Sequence, residues 1–299
     1  MDTLYVLYNP LAASGTGTAS AMKLKEKLPE KKLEFHNLLE TEVASFLDAI
    51  GPEAAVVVCG GDGTLNHFIN DAQGRLAGRE VYYYATGTGN DFLRDIGAQA
   101  QDGPVRIDRY LQTLPSVSVN GQTRLFLNGI GYGIDGYCCE EGDRRREAGE
   151  TKINYTKIAI SGLLFHYHPT GATVAVDGKT YDFKHVWLAP TMFGRFYGGG
   201  MMPAPAQNRL SEKALVSVMI FHGFGKLRTL AVFPSIFKGE HIKHRAMVQV
   251  LTGEQIHVAF DRPTPLQIDG ETVLNVTEYT VSAHAKASVS AGEKTGSNF

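Results

Sequence analysis

The clearest candidate for chemistry is a glycine-rich turn in the first third of the chain. Residues 54–59 are apolar and rich in β-branched side chains, and they run directly into Gly60-Gly61-Asp62-Gly63-Thr64. A strand that ends in a tight glycine turn before a helix collects backbone N–H groups and the positive end of a helix dipole, which together favour an anion. Asp62 is unfavourable beside a phosphate unless a cation lies between them. The pattern therefore indicates nucleotide phosphates together with Mg²⁺.

Two further groups could belong to the same chemistry. Residues 87–91, with the sequence GTGND, follow a second strand-like segment at 80–85, although such a loop can also be a flexible connector. Residues 269–271, with the sequence DGE, offer two carboxylates that could accept the proton of an attacking alcohol. Asp-Gly between strands is also a common hairpin turn. Alternate residues of a strand face the same side, so the pattern does not choose between Asp269 and Glu271.

The elements before residue 114 alternate between strand-like and helix-like patterns. This alternation predicts parallel strands with crossover helices, in which ligands bind at the carboxyl ends of the strands. Both glycine loops occupy that position, and Thr41 is a candidate N-cap for its helix. The predicted strands are 4–8, 32–38, 54–59 and 80–85, and the predicted helices are 19–28, 41–50 and 65–72.

From residue 114 onward, period-two segments separated by turn residues predict an antiparallel sandwich or barrel. The predicted strands are 117–121, 124–128, 172–178, 181–189, 214–221, 247–251, 256–260, 266–271 and 278–283, interrupted by helices at 155–165 and 226–237. The run DRRRE at 143–147 is interpreted as a solvated charge run. The sequence thus predicts an α/β domain (1–113) and a β-sandwich domain (114–283) with a cleft between them, and a tail, 284–299, that returns to the first domain.

Composition narrows the function classes. The formal net charge of −2 gives no overall attraction to nucleic acid, so we expect no nucleic-acid partner. No apolar run is long enough to span a bilayer, and the N-terminus lacks the pattern of a signal peptide. The three cysteines have no metal-ligand spacing, and adjacent Cys138 and Cys139 are poorly placed for a disulfide. A cytoplasmic protein is expected.

The chain resembles the diacylglycerol kinase catalytic-domain family, in particular its small bacterial lipid kinases. The resemblance rests on motifs that follow one another in the family's order and cover most of the chain. They are Asn9-Pro10 with SGTG at 14–17, GGDGTLN at 60–66, GTGNDF at 87–92, FLNGIGYGID at 126–135, FYGGGM at 196–201 with Ala204-Pro205, and QIDGE at 267–271. The resemblance implies a Rossmann-like first domain of the NAD kinase and diacylglycerol kinase type.

The resemblance also implies an activity, namely ATP- and Mg²⁺-dependent phosphorylation of a lipid hydroxyl, with diacylglycerol as the default acceptor and phosphatidic acid as its product. Asp62 and Asp91 would hold Mg²⁺, and Asp269, Glu271 and Asp62 would be catalytic. The implied nucleotide contacts are Asn9, Ser14, Gly15, Thr41, Gly60, Gly61, Asp62, Gly63, Thr64, Asn66, Gly87, Thr88 and Asn90. The lipid would be presented at a membrane surface, with the protein peripheral at the inner face, and a homodimer is left open.

Some positions depart from the family pattern. His67 stands where the family usually has glutamate, and Ala12 and Ala13 lengthen the first loop. Residues 212–217, with the sequence EKALVS, lack the aspartates that hold a structural Mg²⁺ in some members, so no such ion is expected. Two alternatives remain. One is a NAD kinase, which shares the first glycine loop. The other is a protein that binds a nucleotide or lipid without catalysing a reaction.

Contact with a bilayer would require an apolar surface. Residues 163–165 and 233–237, with Lys226, Arg228 and Lys238 nearby, could supply an interfacial face. The interpretation that we favour from the sequence is ordinary core helices whose lysine stems cover apolar surface.

Overall fold

The computed structural model describes residues 3–87, 90–150 and 153–284, and the chain divides into two compact units. The first ends at Leu125, and the second spans Phe126–Ala283. The change in strand pattern predicts a division between residues 113 and 114. In the structure, the hairpin formed by residues 116–125 belongs by its contacts to the first unit. The sequence predicts that the tail, residues 284–299, returns to the first domain. Residues 285–299 lie outside the described part of the chain.

The first unit is built on a mainly parallel sheet. Its strands have the order β2-β1-β3-β4-β5; the first four are parallel, and β5 is antiparallel to β4. This confirms the predicted α/β domain. Its elements are β1 (Thr3–Tyr8), α1 (Ala12–Gly15), α2 (Gly17–Met22), α3 (Leu24–Lys27), β2 (Lys32–Asn37), α4 (Val43–Ile50), β3 (Val56–Gly60), α5 (Asp62–Asp71), β4 (Val81–Ala85), α6 (Asp91–Ile96), β5 (Val105–Arg106), β6 (Ser116–Val119) and β7 (Gln122–Leu125).

Helix α4 begins differently from the prediction. Its N-cap is Glu42, whose carboxylate accepts hydrogen bonds from the backbone N of Ala44 and Ser45 at 3.3 and 2.7 Å. Thr41 is not the cap, because its hydroxyl donates to the carbonyl of Asn37 at 2.7 Å. The prediction for Thr41 as N-cap is wrong, since the hydroxyl is used in the preceding turn.

The second unit is an antiparallel sheet with helices packed against it. The strands run in the order β13-β12-β11-β8-β14-β15, with β9 beside β14 and β10 beside β9, which confirms the predicted antiparallel domain. Its elements are β8 (Gly129–Tyr132), α7 (Ile134–Glu147), α8 (Tyr155–Ser161), β9 (Thr170–Val176), β10 (Lys179–Val186), β11 (Thr191–Met192), β12 (Val216–Phe221), α9 (Lys226–Val232), β13 (Val248–Gly253), β14 (Gln255–Ile268) and β15 (Glu271–Ser282). A π-helical turn, Gly162–His166, continues α8, and a 3₁₀ helix, Phe233–Lys238, continues α9.

Strand β14 joins two segments that the sequence predicts as separate strands. It is a single strand of 14 residues whose first part pairs with β9 and whose last part pairs with β8. Its register against β15 shifts between Ala259 and Thr264. Pro263 lies in this interval. Because proline has no backbone N–H to donate to the neighbouring strand, it is commonly found at a β-bulge. The strand therefore runs on through the irregularity that breaks its sequence pattern.

Helix α7 contains the charge run that the sequence analysis leaves without an element. Glu141 pairs with both Arg144 and Arg145 at 2.8 Å, which is the three- and four-residue spacing of a helix surface. The inner side packs on β14, and a Cβ at Gly136 would lie only 1.8 Å from the carbonyl oxygen of Pro265. Among the described residues, no helix is both long enough and apolar enough to cross a membrane.

Candidate active site

The first glycine turn connects β3 to α5 at the carboxyl edge of the parallel sheet. A Cβ at Gly60 would lie 2.4–2.5 Å from the side chain of Thr64, so the turn needs glycine there. Gly61 is the N-cap of α5, and a Cβ at Gly61 or Gly63 would meet no atom within 4 Å. The turn therefore presents an open glycine surface beside the N-terminus of a ten-residue helix, which suits an anion.

The loop after β1 lies against this turn. Asn9 Nδ2 donates to Thr64 Oγ1 at 3.2 Å, and Asn9 Oδ1 accepts from the backbone N of Leu11 at 2.9 Å. A Cβ at Gly17 would lie 2.0 Å from the carbonyl oxygen of Asn9, so α2 can begin this close to β1 only with glycine. Asn9 thus connects the loop after β1 to α5, the helix that follows the first glycine turn.

The second glycine loop touches the first. A Cβ at Gly87 would lie 3.2 Å from the Cα of Gly61. Asp62 Oδ2 accepts from the backbone N of Asp91 at 2.8 Å and of Phe92 at 3.2 Å, so Asp62 caps the N-terminus of α6. The predicted contact Thr88 lies outside the described residues. Asp62 therefore holds the two loops together.

Asp62 also has a buried neighbour. The Tyr83 hydroxyl lies 3.4 Å from Asp62 Oδ1 and 3.3 Å from the carbonyl of Gly60. Burial, reinforced by the Asp62 charge, raises the pKa of Tyr83 well above its usual value, so this tyrosine remains a neutral donor. The Asp62 carboxylate is thus oriented from two sides, by backbone amides and by a phenol.

The donor set suits a Mg²⁺ ion that relies on phosphate and water. Within residues 3–87, 90–150 and 153–284, no group of three or more His, Cys, Asp or Glu side chains could hold a metal. Protein-bound Mg²⁺ in phosphoryl-transfer sites commonly takes only one or two carboxylates, with substrate phosphates and water as its other ligands. Asp62 and Asp91 supply two carboxylate residues in the two touching loops, although the described contact between them joins the Asp62 carboxylate to the backbone N of Asp91.

The remaining predicted nucleotide contacts fall into two groups. Asn90 precedes α6, where its Nδ2 donates to the carbonyl of Gly87 at 3.1 Å, and its buried Oδ1 has no hydrogen-bond partner in the part of the chain that the structure describes. Ser14 and Gly15 lie in α1, after β1. Thr41 follows β2, and no described contact links its side chain to the glycine turns.

Asn66 is directed elsewhere. Only 3% of its surface is exposed, and Nδ2 donates to the carbonyl of Leu125 at 3.3 Å. Asn70 accepts from the backbone N of Leu125 at 2.8 Å and donates to the same carbonyl at 3.1 Å. The two asparagines hold the end of β7, which gives Asn66 a structural task that its position beside the glycine turn does not indicate.

In the second unit, the acidic motif forms a hairpin turn. Ile268 pairs with Glu271 across β14 and β15, and the intervening Asp269 and Gly270 have φ angles of +47° and +97°. Positive φ at both central residues is the geometry of a two-residue type I′ turn. The expectation that Asp269 and Glu271 lie on one strand and face one side is wrong, because the chain reverses between them.

The Asp269 carboxylate binds a row of backbone amides. Its oxygens accept hydrogen bonds from the N of Leu127 at 2.5 Å, of Asn128 at 2.8 Å and of Gly129 at 3.0 Å. All three donors are buried. Such a site neutralises a carboxylate through fixed dipoles and fixes the turn to the segment before β8.

Arg209 holds the same segment from its carbonyl side. This side chain is 7% exposed, and it donates from Nη1 to the carbonyl of Leu127 at 3.0 Å and from Nη2 to Asn128 Oδ1 at 3.2 Å. No motif in the sequence points to Arg209. A single arginine in a loop carries no local signal, because its partners lie 82 and 81 residues away.

A buried acid lies beside the motif. Asp135, in the first turn of α7, accepts a hydrogen bond from the Tyr197 hydroxyl, and burial raises the pKa of Asp135 to about 7. A Cβ at Gly131 would lie 2.7 Å from both Asp135 Cβ and Gln267 Nε2. Gln267 in turn accepts from the backbone N of Gly270 at 2.6 Å. The acid, the glutamine and the hairpin turn therefore form one packed group.

A cavity of the first unit lies at the other edge of its sheet. This space, of about 640 Å³, is lined by Thr3 and Tyr5 of β1 and by Glu80 and Tyr82 around β4, where the strands begin. Ligands of parallel sheets bind at the carboxyl ends of the strands. We therefore place the candidate site at the glycine loops and not in this cavity.

Comparison with known proteins agrees with this architecture. Residues 3–117 match the family "Diacylglycerol kinase catalytic domain", and residues 128–286 match "YegS C-terminal NAD kinase beta sandwich-like domain". The chain is 25% identical over 306 aligned positions to "Putative lipid kinase YtlR" of Bacillus subtilis (strain 168), which covers 95% of this chain and 97% of the relative.

Two further relatives extend the comparison. The chain is 25% identical over 257 residues to "Diacylglycerol kinase" of Mycobacterium tuberculosis (strain ATCC 25618 / H37Rv), covering 79% of each protein. The structure of a "putative diacylglycerol kinase" from Bacillus anthracis str. Sterne superposes with a TM-score of 0.66 at 16% identity, covering 94% of this chain and 91% of that one. The YegS-type match alone covers more than half of the chain, and the two matches together show that the chain belongs to the family that joins a diacylglycerol kinase catalytic domain to a YegS-type C-terminal domain.

Proposed function

We propose that this protein transfers the γ-phosphoryl group of ATP to the hydroxyl of a lipid, in a Mg²⁺-dependent reaction, with diacylglycerol as the first acceptor to test. One observation carries the proposal most directly. Two glycine loops touch at the carboxyl edge of the parallel sheet, with Gly87 against Gly61, and the Asp62 carboxylate joins them. Open backbone at a helix N-terminus, with carboxylates beside it, suits a polyphosphate and its metal.

The nucleotide would be held chiefly by the backbone. In this proposal the amides of residues 60–64 hold phosphate oxygens, and Asn9 with Thr64 fixes the shape of the turn. The further contacts are Ser14, Gly15, Thr41, Asn66, Gly87, Thr88 and Asn90, which stay predictions. Asp62 and Asp91 would hold Mg²⁺ directly or through water. When bound, the ion neutralises charge on the phosphates.

The acceptor proton would be taken by Glu271. The sequence leaves the base open between Asp269 and Glu271, and the contacts favour the second. Both oxygens of Asp269 accept hydrogen bonds from buried backbone amides, so this carboxylate is already used in holding the turn. Glu271 begins β15 directly after the turn and is only partly buried. Asp269 is then a positioning residue, and Glu271 is the candidate general base.

The test is phosphoryl transfer from radiolabelled ATP to diacylglycerol in mixed micelles, with parallel reactions on NAD and on extracted cellular lipids. A labelled lipid that requires Mg²⁺ supports the proposal, and the chromatographic position of the product identifies the acceptor. Labelled NAD would instead establish the NAD kinase alternative. ATP binding without transfer to any acceptor would identify a silent binding protein. Glu271→Gln is the matched control, since it keeps the shape of the side chain and removes the base.

A further inference from the structure

Large apolar side chains are exposed on two neighbouring helices of the second unit. Phe165 is 70% exposed and Leu227 is 79% exposed, and Ile160 and Phe237 are 44% and 41% exposed. The two helices touch near these residues, because Lys226 Nζ donates to the carbonyl of Leu164 at 2.9 Å. We call Phe165 and Leu227, which flank this contact, together with Ile160 and Phe237 further along the same two helical segments, the exposed apolar face. Clustered exposure of this kind marks an interaction surface more often than isolated exposed residues do.

The helices are fixed by packing on their other side. Ile158 and Leu163 from the first helix and Val232 and Ile236 from the second are buried in one hydrophobic cluster. The sequence pattern favours ordinary core helices for these segments, and the structure shows that this is correct for only one side of each. The remaining apolar side chains project from a scaffold that is already packed.

The charge of the two helical stretches is mainly positive. Residues 153–170 and 222–239 contain no aspartate or glutamate, although the whole chain has 31 acidic and 29 basic residues. The two stretches carry four cations, Lys157, Lys226, Arg228 and Lys238. Glu240 follows directly after the second stretch and interacts with Lys238, Lys226 donates to the carbonyl of Leu164, and Arg228 stacks on the Phe224 ring at 3.9 Å. An apolar face bordered mainly by cations is complementary to an anionic phospholipid surface.

We propose that the exposed apolar face docks the protein on an anionic bilayer, with Phe165 and Leu227 inserted at the level of the lipid headgroups and the lysines and Arg228 facing lipid phosphates. The proposal rests on the proposed function in one respect only, that the acceptor lipid lies in a membrane. Two inserted side chains and several cations give reversible binding of the kind expected for an interfacial enzyme.

The test is co-sedimentation with vesicles, which requires neither ATP nor turnover. Wild-type protein should bind vesicles of phosphatidylcholine with phosphatidylglycerol much more tightly than vesicles of phosphatidylcholine alone. Phe165→Ser with Leu227→Ser should weaken binding to the anionic vesicles about tenfold or more. Arg228→Gln with Lys238→Gln should weaken it severalfold and reduce its dependence on salt. Leu274→Ser is the matched control, because Leu274 is 49% exposed on β15 and should bind like wild type.

Two outcomes overturn the inference. Equal binding of the Phe165→Ser, Leu227→Ser double variant and wild type would remove this face from membrane contact. A wild-type dimer in light scattering that the same double variant converts to monomer would show that the face binds a second copy. Kinase activity on a water-soluble short-chain acceptor should be unchanged in the double variant. A protein that phosphorylates no lipid but still sediments through this face would refute the proposed function and leave the docking inference standing.

Discussion

Removing the Asp269 carboxylate tests whether this residue acts through structure. Asp269→Ala leaves three backbone N–H groups, at residues 127–129, without the acceptor that now lies 2.5–3.0 Å away. The donors are buried, so their loss of a partner is not readily repaired by water. Alanine must also adopt the φ of +47° that Asp269 has in the turn, a region that L-residues other than asparagine and aspartate rarely occupy.

The magnitude follows from these contacts. An unsatisfied buried amide costs about 1–3 kcal/mol, and partial relaxation of the turn limits the total, so we expect Asp269→Ala to lower the free energy of unfolding of the second unit by about 3–5 kcal/mol. Asp269→Asn keeps one acceptor oxygen and tolerates the positive φ, but its amide group faces an N–H donor. We expect a loss of about 1–3 kcal/mol for that variant.

Glu271→Gln provides the contrast. The substitution conserves shape at the start of β15, and we expect the free energy of unfolding to change by less than about 1 kcal/mol. Loss of the general base should lower kcat by about 10²–10⁴-fold while ATP binding is retained. Stability and activity are thus expected to separate between two residues that are neighbours in sequence.

Urea unfolding followed by the fluorescence of Trp187 measures the structural part. Trp187 is the only tryptophan of the chain, it is 2% exposed, and it belongs to the second unit. Calorimetric ATP titration measures nucleotide binding, and the micelle assay measures kcat. The reasoning is refuted if Asp269→Ala unfolds at the wild-type urea concentration while activity is lost, or if Glu271→Gln turns over normally.

Four further perturbations follow from the contacts. Gly60→Ala places a Cβ 2.4–2.5 Å from the side chain of Thr64, so the calorimetric ATP affinity should fall at least tenfold with a stability loss of about 1–3 kcal/mol. Burial raises the pKa of Asp135 to about 7, so between about pH 4 and pH 7 the folded state holds a proton that the unfolded state releases. The free energy of unfolding, measured in urea, should therefore fall by a few kcal/mol from about pH 4 to pH 7, and Asp135→Asn should flatten this slope. Arg209→Met should destabilise the second unit by about 2–4 kcal/mol in the same assay, because it removes the hydrogen bonds that Arg209 donates to a buried carbonyl and to the side-chain oxygen of a buried asparagine. Glu42→Ala removes the N-cap of α4 and should cost about 0.5–2 kcal/mol in thermal unfolding followed by circular dichroism.

Each of these expectations has its own contrary result. Gly63→Ala is the control for Gly60→Ala, since its Cβ would meet nothing within 4 Å, and equal stability losses would mean that crowding is not the cause. A pH slope that persists in Asp135→Asn would assign the proton to another group. Wild-type stability of Arg209→Met would show that water replaces the guanidinium. An unchanged melting temperature of Glu42→Ala would show that the cap contributes nothing.

The sequence alone determined the two kinds of domain and the position of the glycine loops. Both depend on short-range patterns, namely the alternation of strand and helix periods before residue 114 and the need for glycine at turns such as residues 60–63. Because parallel strands align their carboxyl ends, the sequence also predicts that Asn9, the first glycine turn and the second loop lie at one edge of the sheet. The hydrogen bond between Asn9 and Thr64 confirms this for the first two.

Only the tertiary structure decided what the polar side chains hold. Asp269 binds amides up to 142 residues away, Asn66 is drawn to Leu125, and Arg209 reaches Leu127. These partners are brought together by strand pairing and helix packing, and nothing in the local sequence specifies them. The same is true of the exposure of Phe165, since a helix pattern indicates which residues share a side but not which side the rest of the chain will cover.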